Sequence, residues 1–468
     1  MQLGDSVKES TSQTPVESKR TAPELLASAI ISIAALCALG VLALSIVNHD
    51  RWHSGADLVR VYALPALAAL VLLASLTLSA FWRLNIVLVI VPAALALVAA
   101  DLVFAERDRR DMHVIGGKRI IRFASEGPVA SLRGRGIDAY SFIGPQQLAL
   151  WRSVLHADTT GLYPLGGISG IVTYMCREAG RDVLYRSDEF GFNNPPGSWQ
   201  GRIDAALVGD SFVHGLCVPT RDQITTIVRS VIPRTVNLGV LGAGPLAELG
   251  AVREYVVPRK PRLLLWFFYE GNDVDTVAQQ PQMARRYLDP GFSQRLINRQ
   301  GEIDALLRRY SDTISSSPLE RTPIEASVSS VLLLRHLRTA LGVAMPTPPP
   351  KSVDDYLGLE LSLSAAKKAV GEWGGAMYLV YLPDSHRFDP RRMTRGPQHD
   401  DRVVHDRTVA IARRLGIPVI DLLPLFAADP DPKRFWYRPM SHYTPAGTQL
   451  VARTVLARLT SDGINVSR

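Results

Sequence analysis

The chain has 468 residues, of which 47% are hydrophobic, and it carries a formal net charge of +8. This length is enough for more than one structural unit. Several of the positive charges are arginines that directly follow an apolar region, so the net charge does not indicate a nucleic-acid partner.

Residues 1–22 form a polar start to the chain, and their Ser, Thr, Lys and Glu content predicts a disordered tail. Three apolar runs follow, at about 24–47, 61–82 and 84–104, and only Arg83 separates the last two. A helix of a soluble core would show polar residues every few positions, and these runs do not. The first run is also too long for a cleaved signal peptide and lies behind a polar tail. Residues 23–105 therefore predict three transmembrane helices, with the lipid bilayer as a partner and the last two helices forming a tight hairpin.

The charges that flank the apolar runs bear on orientation. Lys8, Lys19 and Arg20 precede the first run, and a basic stretch follows the third, with Arg107, Arg109, Arg110, Lys118, Arg119 and Arg122. The positive-inside rule then favours a cytoplasmic location for the rest of the chain, although the rule is weak for large domains. The same stretch is also explained as a solvated juxtamembrane segment beside anionic headgroups.

Residues 106–200 are interpreted as a juxtamembrane and accessory lead-in. Turn-forming sequences mark it at Tyr163-Pro164-Leu165-Gly166-Gly167 and Asn194-Pro195-Pro196-Gly197. We expect this lead-in to pack against the sheet of the domain that follows.

From residue 201 to residue 468, short apolar runs alternate with helix-like segments. The runs predict buried strands at Ala205–Val208, Thr235–Leu238, Leu263–Phe268, Met377–Leu382 and Pro418–Ile420. Helices are predicted between them at Gln223–Val231, Ala247–Val256, Val353–Trp373 and Val403–Leu415. Strands separated by helices predict an α/β fold, in which helices cover both faces of a parallel sheet.

Residues 274–350 interrupt this alternation. They contain arginine-rich amphipathic pieces around Ile303–Tyr310 and Val328–Leu341, and then Pro346-Thr347-Pro348-Pro349-Pro350. We interpret them as a helical insertion that caps the site, with a mobile connector as the alternative.

The most informative segment is Val208-Gly209-Asp210-Ser211-Phe212, because it follows the first predicted strand directly. Ser211 would stand at the carboxyl edge of the sheet and at the start of the next helix. A helix N-terminus offers unpaired N–H groups and a positive dipole end, which suit a serine nucleophile whose attack creates an oxyanion. Taken alone, Gly-Asp-Ser is also common in ordinary turns and helix caps.

Two later segments have a similar placement. Leu263–Tyr269 ends at Glu270-Gly271-Asn272-Asp273, and Ser441-His442-Tyr443 precedes a helix-like C-terminal segment. With the Ser211 segment and Asn237-Leu238-Gly239-Val240-Leu241-Gly242, they resemble, in order and spacing, the four sequence blocks of the SGNH/GDSL hydrolase superfamily. The resemblance covers roughly residues 180–460. It implies a three-layer α/β/α, flavodoxin-like domain.

The resemblance also implies roles for individual residues. Ser211 is the nucleophile, and His442 is the general base that takes its proton. The N–H groups of Ser211 and Gly242 and the side-chain amide of Asn272 form the oxyanion hole, since an amide donates a hydrogen bond without titrating. The neighbouring residues that support the loops by hydrogen bonds are Gly209, Asp210 and Asp273. No metal or cofactor is implied.

One position departs from the family pattern. The superfamily carries an aspartate two or three residues before the histidine, where this chain has Met440 and Pro439. An orienting acid fixes the imidazole tautomer and stabilises the imidazolium. A backbone carbonyl, or one of the carboxylates of Asp421, Asp429 and Asp431, is expected to replace it.

Cys176 and Cys217 are the cysteines of the soluble part, while Cys37 lies in the first apolar run. They form either a disulfide that fixes the loop after the nucleophile or two reduced, partly buried thiols. Bacterial sequences with the string Gly191-Phe192-Asn193-Asn194-Pro195 before the serine block resemble this chain and have cysteines at these places. This resemblance implies the disulfide, and with it a multi-pass protein of the bacterial inner membrane whose catalytic domain is periplasmic or external.

Other chemistries fit the sequence less well. Gly239–Gly244 follows a strand, but its glycine spacing is reversed from the dinucleotide fingerprint. The chain lacks the Gly-x-Ser-x-Gly elbow of α/β-hydrolases. His386, His399 and His405 lack metal-ligand spacing, so we interpret them as part of a solvated face.

The sequence thus predicts an SGNH-type esterase or O-acyltransferase whose substrate is an acylated carbohydrate or another ester. The expected reaction runs through an acyl-Ser211 intermediate, and an O-acetylated cell-surface glycan is the substrate that family analogy favours. The alternative is a non-catalytic membrane component that uses the same cleft to bind a glycan or a partner. The absent acid at 439–440 favours the alternative, while the presence of Ser211, Asn272 and His442 favours the enzyme.

Overall fold

The computed structural model describes residues 21–47, 59–109, 112–115, 118–121, 126–145, 147–149, 152, 161–177, 181–274, 282–316, 334, 337, 353–388, 401–437 and 441–464. Nearly all of the predicted polar tail, the proline stretch 346–350, His399 and residues 438–440 lie outside these ranges. The chain divides into two units. The first consists of Met1–Phe104 and Ala326–Met345, and the second of Ala105–Glu325 and Pro346–Arg468.

The described part of the first unit is helical. Its helices are α1 (Ala22–Val47), α2 (Leu64–Ser75), which follows a π-helical turn at Val59–Ala63, and α3 (Ala80–Arg109). By length and composition, Ala22–Val47 and Ala80–Glu106 are long and apolar enough to cross a membrane. The helix between them has 12 residues, so a count of three membrane-spanning helices remains a prediction.

The hairpin between the last two apolar runs lies earlier than we expected. Helix α2 ends at Ser75 and α3 begins at Ala80, so the chain turns at residues 76–79 and not at Arg83. Hydroxyl groups satisfy backbone carbonyls at this turn: Ser75 Oγ donates to the Leu72 carbonyl and Thr77 Oγ1 to the Ala74 carbonyl, each at 2.7 Å. Arg83 is buried within α3 and donates to Ser28 Oγ at 2.9 Å.

The second unit contains ten strands and ten helices among its described residues. Two strands form an antiparallel hairpin, β1 (Met112–Ile115) and β2 (Lys118–Ile121), and three form an accessory sheet in the order β3 (Ala139–Ser141), β4 (Val172–Cys176), β5 (Val183–Arg186). The remaining strands are β6 (Ala205–Gly209), β7 (Thr235–Gly239), β8 (Leu263–Tyr269), β9 (Ala376–Leu382) and β10 (Val419–Asp421). The helices are α4 (Glu126–Gly134), α5 (Ser211–His214), α6 (Ile224–Val231), α7 (Pro245–Ala251), α8 (Gln282–Arg285), α9 (Gln300–Ser316), α10 (Val353–Gly371), α11 (Asp401–Arg414), α12 (Leu423–Ala427) and α13 (Pro445–Ser461).

A five-stranded parallel sheet forms the centre of this unit, in the spatial order β10-β9-β8-β6-β7. Each of its strands begins and ends within one residue of the predicted positions. Because successive side chains of a strand point to opposite faces, the sheet separates two apolar cores. On β8, Leu264, Trp266 and Phe268 belong to one core, and Leu263, Leu265 and Phe267 to the other.

Helices cover both faces of the sheet. Leu246 of α7, Leu363 of α10 and Ile411 of α11 lie in the first core. Val228 of α6, Phe426 of α12 and Val455 of α13 lie in the second. The chain therefore has the predicted α/β fold, with a parallel sheet between two helical layers.

The described part of the helical insertion, residues 282–316, packs against the lead-in, and a cap over the site stays a prediction. Four residues of α9 are buried in the first core: Ile303, Leu306, Leu307 and Tyr310. The Asp304 carboxylate accepts hydrogen bonds from the backbone and the hydroxyl of Ser169 at 2.9 and 2.6 Å. Arg308 forms a two-pronged ion pair with Asp138.

Candidate active site

Ser211 lies two residues after the end of β6, an interior strand of the sheet. Strand β6 is buried along its whole length, and Asp210 then caps α5 by accepting a hydrogen bond from the Phe212 N–H at 2.9 Å. This places the Ser211 hydroxyl at the first position of α5, at the carboxyl edge of the sheet. Helix α5 packs closely on β7, where a Cβ at Gly239 would come within 2.1 Å of the His214 nitrogen. Only glycine fits at this contact.

His442 reaches the same edge from the C-terminal part of the chain. Its segment is held by an antiparallel bridge between Trp436 and Tyr443, and by a bond of 3.1 Å from the Tyr437 N–H to the His442 carbonyl. Helix α13 follows at once, capped by Thr444. The Nε2 of His442 lies 3.0 Å from the Oγ of Ser211.

The loops that follow β8 and β7 flank the serine, because β6 lies between these two strands. Asn272 follows β8, and its side chain hydrogen-bonds the Asp210 carboxylate. Asp273 accepts a bond from the Tyr269 N–H at 2.6 Å and so closes the turn that carries Asn272. Gly242 lies in the turn after β7 with φ +70°, a backbone conformation that favours glycine.

The Ser211 hydroxyl lies between an imidazole and a carboxylate. Its Oγ is 3.4 Å from Asp210 Oδ2, against 3.0 Å from His442 Nε2, so the shorter contact for its one proton is to the imidazole. The aromatic ring of Phe212 packs against the His442 ring at 5.1 Å and stacks on Tyr269 at 4.0 Å. These rings form an apolar wall beside the pair.

Two carboxyl groups close to the serine are buried, those of Asp210 and Glu248, and they interact electrostatically. Burial raises the pKa of Asp210, while the Phe212 N–H, the charge of His442 and the side chains of Asn272 and Ser211 act in the opposite direction. Burial also raises the pKa of Glu248 well above its ordinary range, and the charge of Asp210 adds to this effect. Glu248 is 1% exposed, and the nearby Trp266 indole N–H lies outside hydrogen-bond geometry. Burial thus favours the neutral form of Glu248 more strongly than that of Asp210, because Asp210 has hydrogen-bond partners and the Glu248 carboxyl oxygens have none among the described residues.

Three aspartates were candidates to orient His442, and two of them, Asp421 and Asp429, pair with other residues. Asp421 pairs with His405 Nε2 at 2.8 Å, and Asp429 pairs with Arg434. Asp210 is a carboxylate whose charge does reach His442. Pro439 and Met440 lie outside the described residues.

Sequence reasoning missed three polar residues near this edge, namely His214, Glu248 and Asp384. Glu248 and His214 are fully buried, and each could have been noticed as a lone titratable residue in an apolar stretch. Burial lowers the pKa of His214 to about 4. His386 Nδ1 pairs with Asp384 at 2.6 Å, and the Tyr269 hydroxyl donates to the same carboxylate at 3.0 Å.

The solvated histidine face that we expected is therefore wrong for His386 and His405, because both pair with aspartates and are largely buried. Within the described ranges, no group of three His, Cys, Asp or Glu residues is placed to hold a metal ion.

Cys176 and Cys217 form a disulfide, with their Cα atoms 5.6 Å apart. It joins the end of β4 to the loop that follows α5. Asn194, from the Gly-Phe-Asn-Asn-Pro string, is a second connection between the lead-in and the sheet, because its amide bonds both the N–H and the carbonyl of Asn237 on β7.

Residues 360–466 match the family model described as "SGNH hydrolase-like domain, acetyltransferase AlgX". This segment, which contains His442, is thus SGNH hydrolase-like, and the resemblance of the chain to the SGNH/GDSL superfamily is confirmed. No curated protein shows significant sequence similarity to the chain.

Solved structures similar to the chain include a lipase/acylhydrolase from Enterococcus faecalis, at 14% identity and a TM-score of 0.32, covering 56% of this chain and 96% of that one. A member of the lipolytic protein G-D-S-L family from Veillonella parvula is 14% identical with a TM-score of 0.30, and the match covers 55% of this chain and 98% of that one. The acetyl xylan esterase AlAXEase is 12% identical with a TM-score of 0.32, and the match covers 55% of this chain and 100% of that one.

Proposed function

We propose that this protein is a membrane-anchored serine esterase or O-acyltransferase of the SGNH type. The observation that carries the proposal is the 3.0 Å contact between His442 Nε2 and Ser211 Oγ, beside the loops of Asn272 and Gly242. An imidazole at this distance can take the hydroxyl proton as the oxygen attacks.

The reaction has two halves. Ser211 Oγ attacks the ester carbonyl while its proton moves to His442 Nε2, and the Ser211 and Gly242 N–H groups and the Asn272 amide stabilise the oxyanion. The alcohol leaves with the proton from His442, and the acyl group stays on Ser211. Water or a second hydroxyl then attacks the acyl group, with His442 as the base again. Water releases an acid, whereas a sugar hydroxyl yields a new ester.

The substrate that we propose is an acetyl ester of a cell-surface glycan. The matching family model has an acetyltransferase in its description, and acetyl transfer to a carbohydrate needs only the two half-reactions above. The two long apolar helices support a membrane anchor, and the Cys176–Cys217 disulfide supports a catalytic domain in the periplasm or outside the cell.

A second function, glycan binding without turnover, is favoured by the residues at 439 and 440, a proline and a methionine where the superfamily has its acid. The position of Asp210 argues against this second function, because it places a carboxyl group close enough to His442 for an electrostatic interaction.

A fluorophosphonate probe separates the two functions. We expect the full-length protein to be labelled on Ser211, and the Ser211→Ala and His442→Ala variants to lose both the label and the hydrolysis of p-nitrophenyl acetate. Ser198→Ala is the matched control, since its hydroxyl bonds only a nearby carbonyl in an exposed turn. Equal activity of the wild type and both active-site variants would rule out the proposed enzyme.

The proposed location needs its own measurement. Alkaline phosphatase fused behind residue 468 is active only when it is exported, whereas green fluorescent protein fused there fluoresces only in the cytoplasm. We expect phosphatase activity and no fluorescence, and the reverse pattern would contradict a periplasmic or external domain.

A further inference from the structure

The disulfide belongs to a chain of contacts that leads to the candidate base. Cys176 is the last residue of β4 in the accessory sheet, and Cys217 follows α5, the short helix that begins with Ser211. The bond between the two sulfurs therefore fixes the chain immediately after the nucleophile to a sheet that lies outside the central five strands.

Cys217 has an unusual backbone that its neighbours hold in place. Its φ of +63° lies in the left-handed region, which is unfavourable for any residue with a side chain. Three contacts hold it there: the disulfide, a bond of 3.1 Å from its N–H to Met175 Sδ, and a bond of 3.1 Å from the Tyr437 hydroxyl to its carbonyl. Two of these contacts come from neighbouring residues of β4.

Tyr437 connects this point to His442. Its hydroxyl donates to Cys217, and its N–H donates to the His442 carbonyl at 3.1 Å. Next to it, the Thr444 N–H donates to the Phe435 carbonyl at 2.8 Å, so backbone hydrogen bonds join the two segments on either side of Tyr443, the residue that follows His442.

We infer that the disulfide, acting through the Cys217 carbonyl and Tyr437, positions His442 against Ser211, so that the site is complete only in the oxidised protein. Tyr437 is a positioning residue, because it acts through His442. Displacing a reacting group by about 1 Å costs a rate factor on the order of 100. Catalysis would therefore depend on the redox state of a bond that makes no contact with the substrate. The consequence for catalysis rests on the proposed function, but the consequence for the backbone of His442 does not.

The test uses the full-length protein in detergent and two independent readouts. The first is the rate of Ser211 labelling by the fluorophosphonate, together with kcat and KM for p-nitrophenyl acetate. The second is amide hydrogen exchange in peptides that cover residues 435–444, followed by mass spectrometry. The forms compared are the wild type, Tyr437→Phe, the double variant Cys176→Ser with Cys217→Ser, and the wild type reduced with excess dithiothreitol. Dithiothreitol transfers two electrons, yields two thiols and becomes a cyclic disulfide itself.

Two tyrosines provide matched controls. Tyr174 lies on β4 and its hydroxyl donates to Asp182, and Tyr378 lies on β9 and its hydroxyl donates to Asp462, each at 3.0 Å. Removing either hydroxyl leaves the path from Cys217 to His442 intact.

We expect Tyr437→Phe to lower kcat and the labelling rate about 10-fold with KM within about twofold, and to speed exchange at residues 435–444. Reduction and the double serine variant should lower kcat further, to a common value, and reoxidation of the wild type should restore it. Tyr174→Phe and Tyr378→Phe should match the wild type in both readouts.

Any other outcome contradicts either the proposed enzyme function or the inference about His442. If exchange at 435–444 changes as expected but Ser211 is labelled in no form, the enzyme proposal fails and the positioning of His442 stands. If neither readout differs between the wild type, Tyr437→Phe and the reduced protein, the inference is overturned. Faster exchange that extends equally to residues 263–269 of β8 also overturns it, because the disulfide would then stabilise the whole domain and not the segment of His442.

Discussion

The Nε2 of His442 lies 3.0 Å from the Oγ of Ser211, although 231 positions separate the two residues along the chain. The Oδ2 atom of Asp210 lies 3.4 Å from the same oxygen. The hydroxyl thus lies within hydrogen-bond distance of an imidazole nitrogen and close to a carboxyl group.

Loss of the Asn272 amide should affect the chemical step. If this side chain donates to the oxyanion, Asn272→Ala should lower kcat by roughly 100-fold to 1,000-fold, with a much smaller change in KM. Asn272→Asp keeps the shape but removes the donor and adds a charge near Asp210, so it should be at least as inactive. Steady-state kinetics on p-nitrophenyl acetate measures both variants, and near-normal kcat in Asn272→Asp would exclude the role.

Glu248 should tolerate replacement by its neutral isostere. Burial beside Asp210 raises the pKa of Glu248 well above its ordinary range and so favours the uncharged form of this side chain. We expect Glu248→Gln to keep kcat within about threefold and the free energy of unfolding within about 1 kcal/mol. Asp210→Asn removes the charge near His442 and should lower kcat by at least about 10-fold. A large loss of activity in Glu248→Gln would show instead that the Glu248 carboxylate is ionised and used.

His214 should make the domain less stable in acid. Burial lowers its pKa to about 4 from an unfolded value of 6.5. Between pH 6.5 and about pH 4, the His214 side chain is therefore mostly protonated in the unfolded chain but mostly neutral in the folded chain. The free energy of unfolding should fall by about 3 kcal/mol over this range, because each pKa unit is worth about 1.4 kcal/mol.

The matched measurement is urea unfolding from pH 7.5 to pH 4 for the wild type and His214→Asn, and this part of the pH dependence should be absent from the variant. His405→Asn is the control of opposite sign. Burial lowers the pKa of His405, but its bonds to Asp406 and Asp421 outweigh this and raise the pKa overall. Its contribution should therefore be present in acid and be lost as the pH rises. Parallel pH curves for the wild type and His214→Asn would contradict the role given to His214.

Asn194 should be important for stability rather than for chemistry. Its amide makes four hydrogen bonds at 2.7 to 3.0 Å, to Asp188, Arg229 and both backbone groups of Asn237. Asn194→Ala would leave several of these partners unsatisfied in a buried place, so we expect a loss of about 3 kcal/mol in the free energy of unfolding. Ser198→Ala, in the neighbouring turn, should change it by less than about 0.5 kcal/mol. Urea unfolding decides between these values, and equal stability of the two variants would be the contrary result.

The sequence predicted the central sheet closely because most of its strands are apolar runs with a clear end, such as Leu263–Tyr269, which is followed by Glu270. Parallel strands present their carboxyl ends at one edge, so residues that follow different strands could be expected to meet there. The hairpin near Arg83 was misplaced for the converse reason. Hydropathy does not register that the hydroxyls of Ser75 and Thr77 satisfy the carbonyls of an early turn.

Composition and local pattern were thus enough to determine the fold class, the strand boundaries and the order of the Ser211, Asn272 and His442 blocks, because burial and periodicity are properties of short segments. Only the tertiary structure decided the 3.0 Å contact, the pairing of His386 with Asp384 and of His405 with Asp421, the raised pKa of Glu248 and the path from Cys217 through Tyr437 to His442. Most of these features depend on distances between residues far apart in sequence, or on how deeply a charge is removed from water, and neither quantity exists until the chain has folded.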